Sequence, residues 1–171
     1  VPRQLSTPKH YAYLKIAEGC RKKCAYCIIP DIKGPLKSKS QEQILKEFQL
    51  LLNQGVKEVI LIAQDLGDYG RDKGFKKVEG LIDLLQSLLK IEGDYWLRLM
   101  YLYPDEITDD LIALMKSDKR ICAYLDMRCA KSVPETHFPA CLSLCIIPEI
   151  LIRDKYYLSV CRYGIYHFYC I

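Results

Sequence analysis

Apolar positions change their spacing several times along the chain, and each change marks an element. Tyr11 to Ile16 alternates loosely and is rich in aromatic residues, which predicts a strand leading straight towards Gly19. Ser40 and Gln43 then stand in capping-box order, and Ile44, Leu45, Phe48, Leu51 and Leu52 recur on one face of a helix that stops near Gly55. Val59 to Ala63 is an unbroken apolar run, the pattern of a strand buried on both faces in a parallel sheet, and Gln64 and Asp65 fall at its carboxyl end. After a glycine-containing, charged loop from Gly67 to Lys77, Leu81, Ile82, Leu84, Leu85, Leu88 and Leu89 predict a second helix ending about Gly93. Trp96 to Tyr103 reads as a third strand stopped by Pro104. Asp105 or Thr108 is placed to cap the next helix, whose apolar face carries Leu111, Ile112 and Met115. Ile121 to Met127 is the fourth strand. A strand, loop and helix repeated three times before a further strand imply an α/β fold with parallel strands and right-handed helical crossovers.

Beyond Met127 this rhythm lapses. Residues 128–171 carry five cysteines, three prolines and many tyrosines, with no amphipathic helix where the next crossover belongs. Two regions are therefore expected: a domain over 1–127 and an atypical Cys- and Tyr-rich tail over 128–171, read as the product of a shifted frame and outside the domain's fold. The chain opens on Val1, as a piece cut from something longer would.

Half of the 171 residues are apolar and 27% are charged, which suits a globular domain and argues against disorder. A net charge of +4 is too mild to point to nucleic acid or an anionic membrane. No run approaches the roughly 20 apolar residues of a membrane span, and the start lacks a signal-peptide layout, so a cytoplasmic location without membrane attachment is expected. Nine cysteines, an odd number in a chain of that location, favour metal or cluster ligation over disulfides.

Three of them are concentrated in one loop. Cys20, Cys24 and Cys27 have the spacing CxxxCxxC, which places three thiolates where they can wrap a cubane iron–sulfur cluster and leave its fourth iron open. Arg21, Lys22 and Lys23 lie between them and are expected to hold the thiolates deprotonated. A zinc knuckle is the alternative, but it needs a fourth Cys or His, and His10 is the sole local candidate.

With Tyr26 just before the third cysteine, this loop resembles that of the radical S-adenosylmethionine (SAM) superfamily. The segments STPKHYAYLKIAEGCRKKCAYCIIPDIKGPLKSK, EVILIAQDLGDYG and YWLRLMYLYPDEITDDLI together resemble the methylthiotransferase family, in particular the branch that modifies a ribosomal protein. The likeness covers about Val1 to Met127. It implies a partial TIM-like (β/α) barrel, truncated after about four strands, with its active site at the carboxyl ends of the strands. It also implies a 4Fe-4S cluster held by Cys20, Cys24 and Cys27, and SAM bound at the open iron and cleaved to a 5′-deoxyadenosyl radical. Carried over by position, Tyr26, Gln64, Asp65 and Ser38 would contact SAM or substrate; Lys37-Ser38-Lys39 stands where the family usually has Arg-Ser-Arg. Tyr101 and Tyr103 are candidates to line the pocket.

The substrate implied is an aspartate of a small-subunit ribosomal protein, and the reductant a flavodoxin or ferredoxin type of electron donor. Two alternatives are a fragment of the branch that modifies a tRNA adenosine, which alone would bring in nucleic acid, and an inactive metal-binding remnant. The family's preceding domain, with three further cysteines, and its terminal β-barrel are not recognisable here, so a chain incomplete for turnover is expected. The fourth strand is expected to be an unprotected edge.

Overall fold

Aliphatic runs become strands at the four expected places because their side chains find cover on the sheet faces. The computed structural model describes residues 7–24, 27–128 and 142–146. In chain order the elements are β1 (Tyr11–Lys15), β2 (Ala17–Glu18), α1 (Ile29–Lys33), β3 (Lys37–Ser38), α2 (Gln41–Asn53), β4 (Glu58–Ile62), α3 (Glu79–Leu89), β5 (Trp96–Leu102), α4 (Asp109–Ser117), β6 (Ile121–Arg128) and β7 (Leu142–Ile146). Two 3-10 turns, Arg71–Lys73 and Pro104–Glu106, sit in the loops after β4 and β5.

The main sheet runs β1-β4-β5-β6-β7, and its first four strands are parallel. Each of those strands returns to its neighbour through one of the three long helices, which is the arc of a (β/α) barrel. Against expectation, the sheet does not stop at β6. Residues 142–146 of the tail form β7, which pairs antiparallel along Tyr124 to Arg128 and covers the edge that the sequence reading left open. An eight-residue β6 offers unpaired N–H and C=O groups along its outer side, and β7 supplies partners for them. The remainder of the tail, with Cys129, Cys141, Cys161 and Cys170, lies outside the described residues.

Burial alternates along β1, where Ala12 and Leu14 are fully buried while Tyr13 stays exposed, so one face carries the helices. Val59, Leu61, Leu97 and Leu99 continue that face, and Ile44, Phe48 and Leu51 of α2 and Leu81, Leu84, Leu85 and Leu88 of α3 complete the core. Each fully buried leucine contributes about 1.5–3 kcal/mol. On the other face Ile60 is also buried, in keeping with the unbroken apolar run of β4.

Both helix starts legible in the sequence form as expected. The Ser40 hydroxyl accepts the Gln43 N–H while the Gln43 side chain accepts the Ser40 N–H, and the Thr108 hydroxyl accepts from Leu111. At the amino-terminal ends of the strands, Tyr95 is buried edge-on against Phe48 at 5.0 Å between ring centroids. Its hydroxyl is the centre of a polar knot with Arg120, which fastens the chain before β5 to the chain before β6.

Candidate active site

The carboxyl ends of β1, β4 and β5 carry the candidate chemistry. From β1 the chain passes through Ile16 and the short β2 into Gly19, which has φ +72. A side chain at Gly19 would come within 2.1 Å of the Pro35 carbonyl oxygen, so only glycine lets the loop lie against the Gly34-Pro35 backbone. The Cys20 N–H then donates to the Gly34 carbonyl at 3.2 Å, and the Cys27 N–H to the Cys24 carbonyl at 3.0 Å. The first bond ties the start of the cysteine loop to the chain before β3, and the second closes a turn between Cys24 and Cys27 ahead of α1. All three are free and half-buried, and Tyr26 between them lies outside the described residues.

Lys22 turns from this loop towards the strand ends. Its ammonium makes an ion pair with Oδ2 of Asp65, just past β4, and donates to Oε1 of Glu106, just past β5, at 2.9 Å. The same nitrogen stands 3.4 Å from the centre of the Tyr103 ring, a cation–π contact. Asp65 and Glu106 are 2% and 0% exposed, so both are desolvated carboxylates. Asp68, also buried, brings one oxygen within 4.8 Å of an oxygen of each.

One ammonium thus faces three buried acids. Burial, followed by the hydrogen bond and charge of Glu106, pushes the Asp65 carboxyl up to about 8, with Lys22 pulling the other way. Burial alone would pull the Lys22 ammonium down, but its bonds to Asp65 and Glu106 outweigh this and hold it above its ordinary value. No hydrogen-bond donor is aligned on Oδ2 of Asp65, which has only the ion pair, and Oδ2 of Asp68 is buried without a hydrogen-bond partner.

The loop cations do not all act as the spacing suggests. Burial raises the Cys20 thiol, and the Lys22 charge is the smallest of the opposing influences because that ammonium is committed to Asp65 and Glu106. The Lys22 N–H does point at Cys20 Sγ, at 3.4 Å, and lowers the thiol's pKa in part. Arg21 and Lys23 are exposed.

Backbone geometry past β5 prepares the carboxylate end. Pairing between β5 and β6 slips between Leu99 and Leu102, and there Tyr101 takes φ +67, an uncommon conformation for a bulky residue. The Tyr101 carbonyl then accepts the Leu66 N–H at 3.1 Å, which pins the segment carrying Gln64 and Asp65 to β5. Gln64 is half-buried beside Asp65.

Ser38 is drawn into a different contact. Its N–H donates to Asp72 at 2.9 Å and its hydroxyl accepts the Gly70 N–H at 2.9 Å, while the Tyr69 hydroxyl and the Lys73 ammonium donate to the Lys39 carbonyl. Ser38 is 7% exposed and ties β3 to the loop after β4. Lys39 pairs with Glu47 of α2 at 2.7 Å. His10 is exposed, its carbonyl accepting from Lys57 and Glu58 at the start of β4, at the opposite end of the strands from the cysteines. It supplies no fourth ligand to them.

Sequence reasoning singled out Asp65 but missed Glu106 and Asp68. Glu106 lies 84 residues from Lys22, and its one local signal is that it is the second of two acids following the proline that ends a barrel strand.

Three thiols without disulfides on one half-exposed loop are a fitting donor set for an iron–sulfur cluster. The comparisons with known proteins agree with that chemistry. Residues 14–126 match the model of the Radical SAM superfamily. The chain is 80% identical over 127 residues to the ribosomal protein uS12 methylthiotransferase RimO of Protochlamydia amoebophila, covering 74% of this chain and 27% of that protein. It is 64% identical to the RimO of Chlamydia caviae over 127 residues, and 51% identical to that of Pelotomaculum thermopropionicum over 126, in each case over 74% of this chain and 28% of the relative. The chain therefore spans about a quarter of the length of these curated relatives. Among the described residues no helix is long and apolar enough to cross a membrane. With the superfamily match running from the end of β1 through the cysteine loop, β4 and β5 into β6, about two thirds of its length, the chain belongs to the radical SAM superfamily.

Proposed function

We propose that this chain is the radical-generating part of a cytoplasmic methylthiotransferase whose substrate is an aspartate of ribosomal protein uS12, served by a flavodoxin or ferredoxin type of donor. The observation that carries the reading is the 80% identity to a uS12 methylthiotransferase across a segment that holds the cysteine loop and the buried strand-end carboxylates together. Residues 1–127 form the catalytic portion in this reading and residues 128–171 an appended tail.

Cys20, Cys24 and Cys27 would hold a 4Fe-4S cluster, with SAM at its open iron and Tyr26 beside it. When bound, that pair supplies a carbon-centred radical able to take hydrogen from an unactivated carbon. The protein's own part is to place and to shield. Gly19 and Gly34 set the loop, Gln64 and Asp65 offer polar atoms at the end of β4, and the Tyr101–Leu66 link holds those atoms in register with β5. Ser38 works behind the site, bracing the loop that follows Asp65.

The test is anaerobic reconstitution of the chain with iron and sulfide, reduction, and electron paramagnetic resonance with and without SAM. A cubane signal that shifts on adding SAM is the expected result. A cluster indifferent to SAM would reduce the chain to a metal-binding remnant, and no cluster at all would overturn the reading of the cysteine loop.

A further inference from the structure

Glu106 is the most completely buried acid of the strand ends, and nothing in the proposed chemistry uses it. Its two carboxylate oxygens have separate tasks. Oε2 accepts the Tyr103 N–H at 2.9 Å, which closes the turn after β5, and Oε1 accepts from Lys22 at 2.9 Å. Space for this carboxylate exists because residue 67 is glycine: a side chain there would meet Glu106 Cδ at 2.4 Å. A carboxylate held at both oxygens in a glycine-lined slot is a fixed point, and Lys22 is the one residue of the cysteine loop that reaches it among the described residues.

We propose that Glu106 is a positioning residue: through Lys22 it fixes the segment between Cys20 and Cys24 over the ends of β4 and β5, so that these cysteines are preset before any metal arrives. The importance of the placement for catalysis rests on the functional reading above, whereas the clamp itself is a property of the chain alone. Lys22 lies midway between two of the three cysteines, so the clamp restrains both flanks at once. Ordering a loop in advance removes that cost from ligand binding, which is the general benefit of preorganisation.

Gln at position 106 separates the clamp from simple space filling. The shapes match, but the carboxylate meets the Tyr103 N–H and the Lys22 ammonium at separate oxygens, and in the amide one of those two positions becomes an NH2 that sets donor against donor. The experiment is amide hydrogen exchange on the chain without metal, comparing the parent with Glu106→Gln, Lys22→Gln and the double variant. Exchange in peptides spanning residues 19–24 is expected to quicken by about tenfold in each single variant, while α2 and β4 keep their protection. The double variant is expected to be no faster than Lys22→Gln alone, because Glu106 acts on this segment only through Lys22, whose own loss also removes its contacts with Asp65 and Tyr103.

Parent-like exchange over 19–24 in both single variants would overturn the proposal, as would additive losses in the double. Should Glu106→Gln loosen the whole sheet, Lys22→Gln decides, since Lys22 lies on a loop outside the core: unchanged exchange there overturns the clamp and a local rise supports it. The SAM-dependent resonance of the reconstituted parent keeps the two readings apart. A parent blind to SAM together with local loosening in the variants would sink the functional reading and leave the clamp standing. The reverse pair of results would sink the clamp alone.

Discussion

At the amino-terminal ends of β5 and β6, Arg120 donates to Asp118, to the carbonyls of Leu89 and Ile91 and to the Tyr95 hydroxyl, and that hydroxyl in turn donates to Leu88 or Ile91. At the carboxyl ends of β4 and β5, Lys22 meets Asp65 at Oδ2 and Glu106 at Oε1, while Oδ2 of Asp68 is buried without a hydrogen-bond partner. Both knots tie neighbouring strand ends with one cation. The first matches charge with charge and is otherwise made of neutral acceptors; the second holds three buried acids against one ammonium. A buried carboxylate without full compensation is costly, so the second arrangement is not explained by stability. In barrels of parallel strands the carboxyl ends hold the chemistry and the amino ends hold the fold together, and this sheet divides its polar groups in that way.

The largest effect that would break this division is at the cysteines. Replacing Cys20, Cys24 or Cys27 with Ala should each abolish the iron–sulfur signal after reconstitution while leaving the far-ultraviolet circular dichroism of the chain unchanged, because all three lie on a half-exposed loop. A variant that kept a full complement of iron would move the chemistry away from this end.

Next in size is a pH effect confined to the acidic knot. The Asp65 carboxyl is raised from an ordinary 3.8 to about 8 in the folded chain. The folded state therefore holds a proton that the unfolded state gives up, so stability from this group is fully present below about pH 4 and is lost as pH rises through about 8. Urea midpoints of the metal-free chain are expected to fall across that window, with a slope of at most about 1.4 kcal/mol per pH unit. Asp65→Asn should flatten the slope, and an unaltered slope would show that the acids are compensated after all.

Third comes the opposite knot. Arg120→Met removes a hydrogen-bonded cation from four partners and is expected to cost about 2–3 kcal/mol in urea denaturation. At temperatures where the variant is folded, its iron content and its response to SAM should equal the parent's. Impaired SAM response in a folded Arg120→Met chain would mean that the two ends are coupled.

How much of this was readable beforehand follows the same division. The strands, the Ser40–Gln43 box and the Thr108 cap depend on neighbours three or four residues away, and the order of residues announces them. The cysteine loop is also local, and so was legible. Glu106 and Lys22 meet across 84 positions, and only closure of the sheet brings them together. Tyr101 takes its positive φ because β5 and β6 slip register, a property of two strands and not of one. Ser38 shows the limit most plainly: the family resemblance marks it for contact with SAM or substrate, whereas Asp72 and Gly70, which engage it here, lie more than thirty residues on and carry no local signal. The strand at 142–146 escaped notice because its short apolar run sits in a segment without the surrounding helix periodicity, and it gains its place by pairing with β6.

The smallest expected effect is none at all, and it bears on whether the chemistry has one seat or two. Cys145 occupies β7 opposite Leu125, one strand beyond the parallel set, and Cys141 lies outside the described residues. Cys141 and Cys145 are four apart with no third cysteine at cluster spacing, unlike the loop at Cys20. Replacing Cys141 and Cys145 together with Ser should therefore leave iron per chain unchanged after reconstitution. A measured fall would make the tail a second source of ligands, and the contrast between a structural and a chemical end of the sheet would no longer hold.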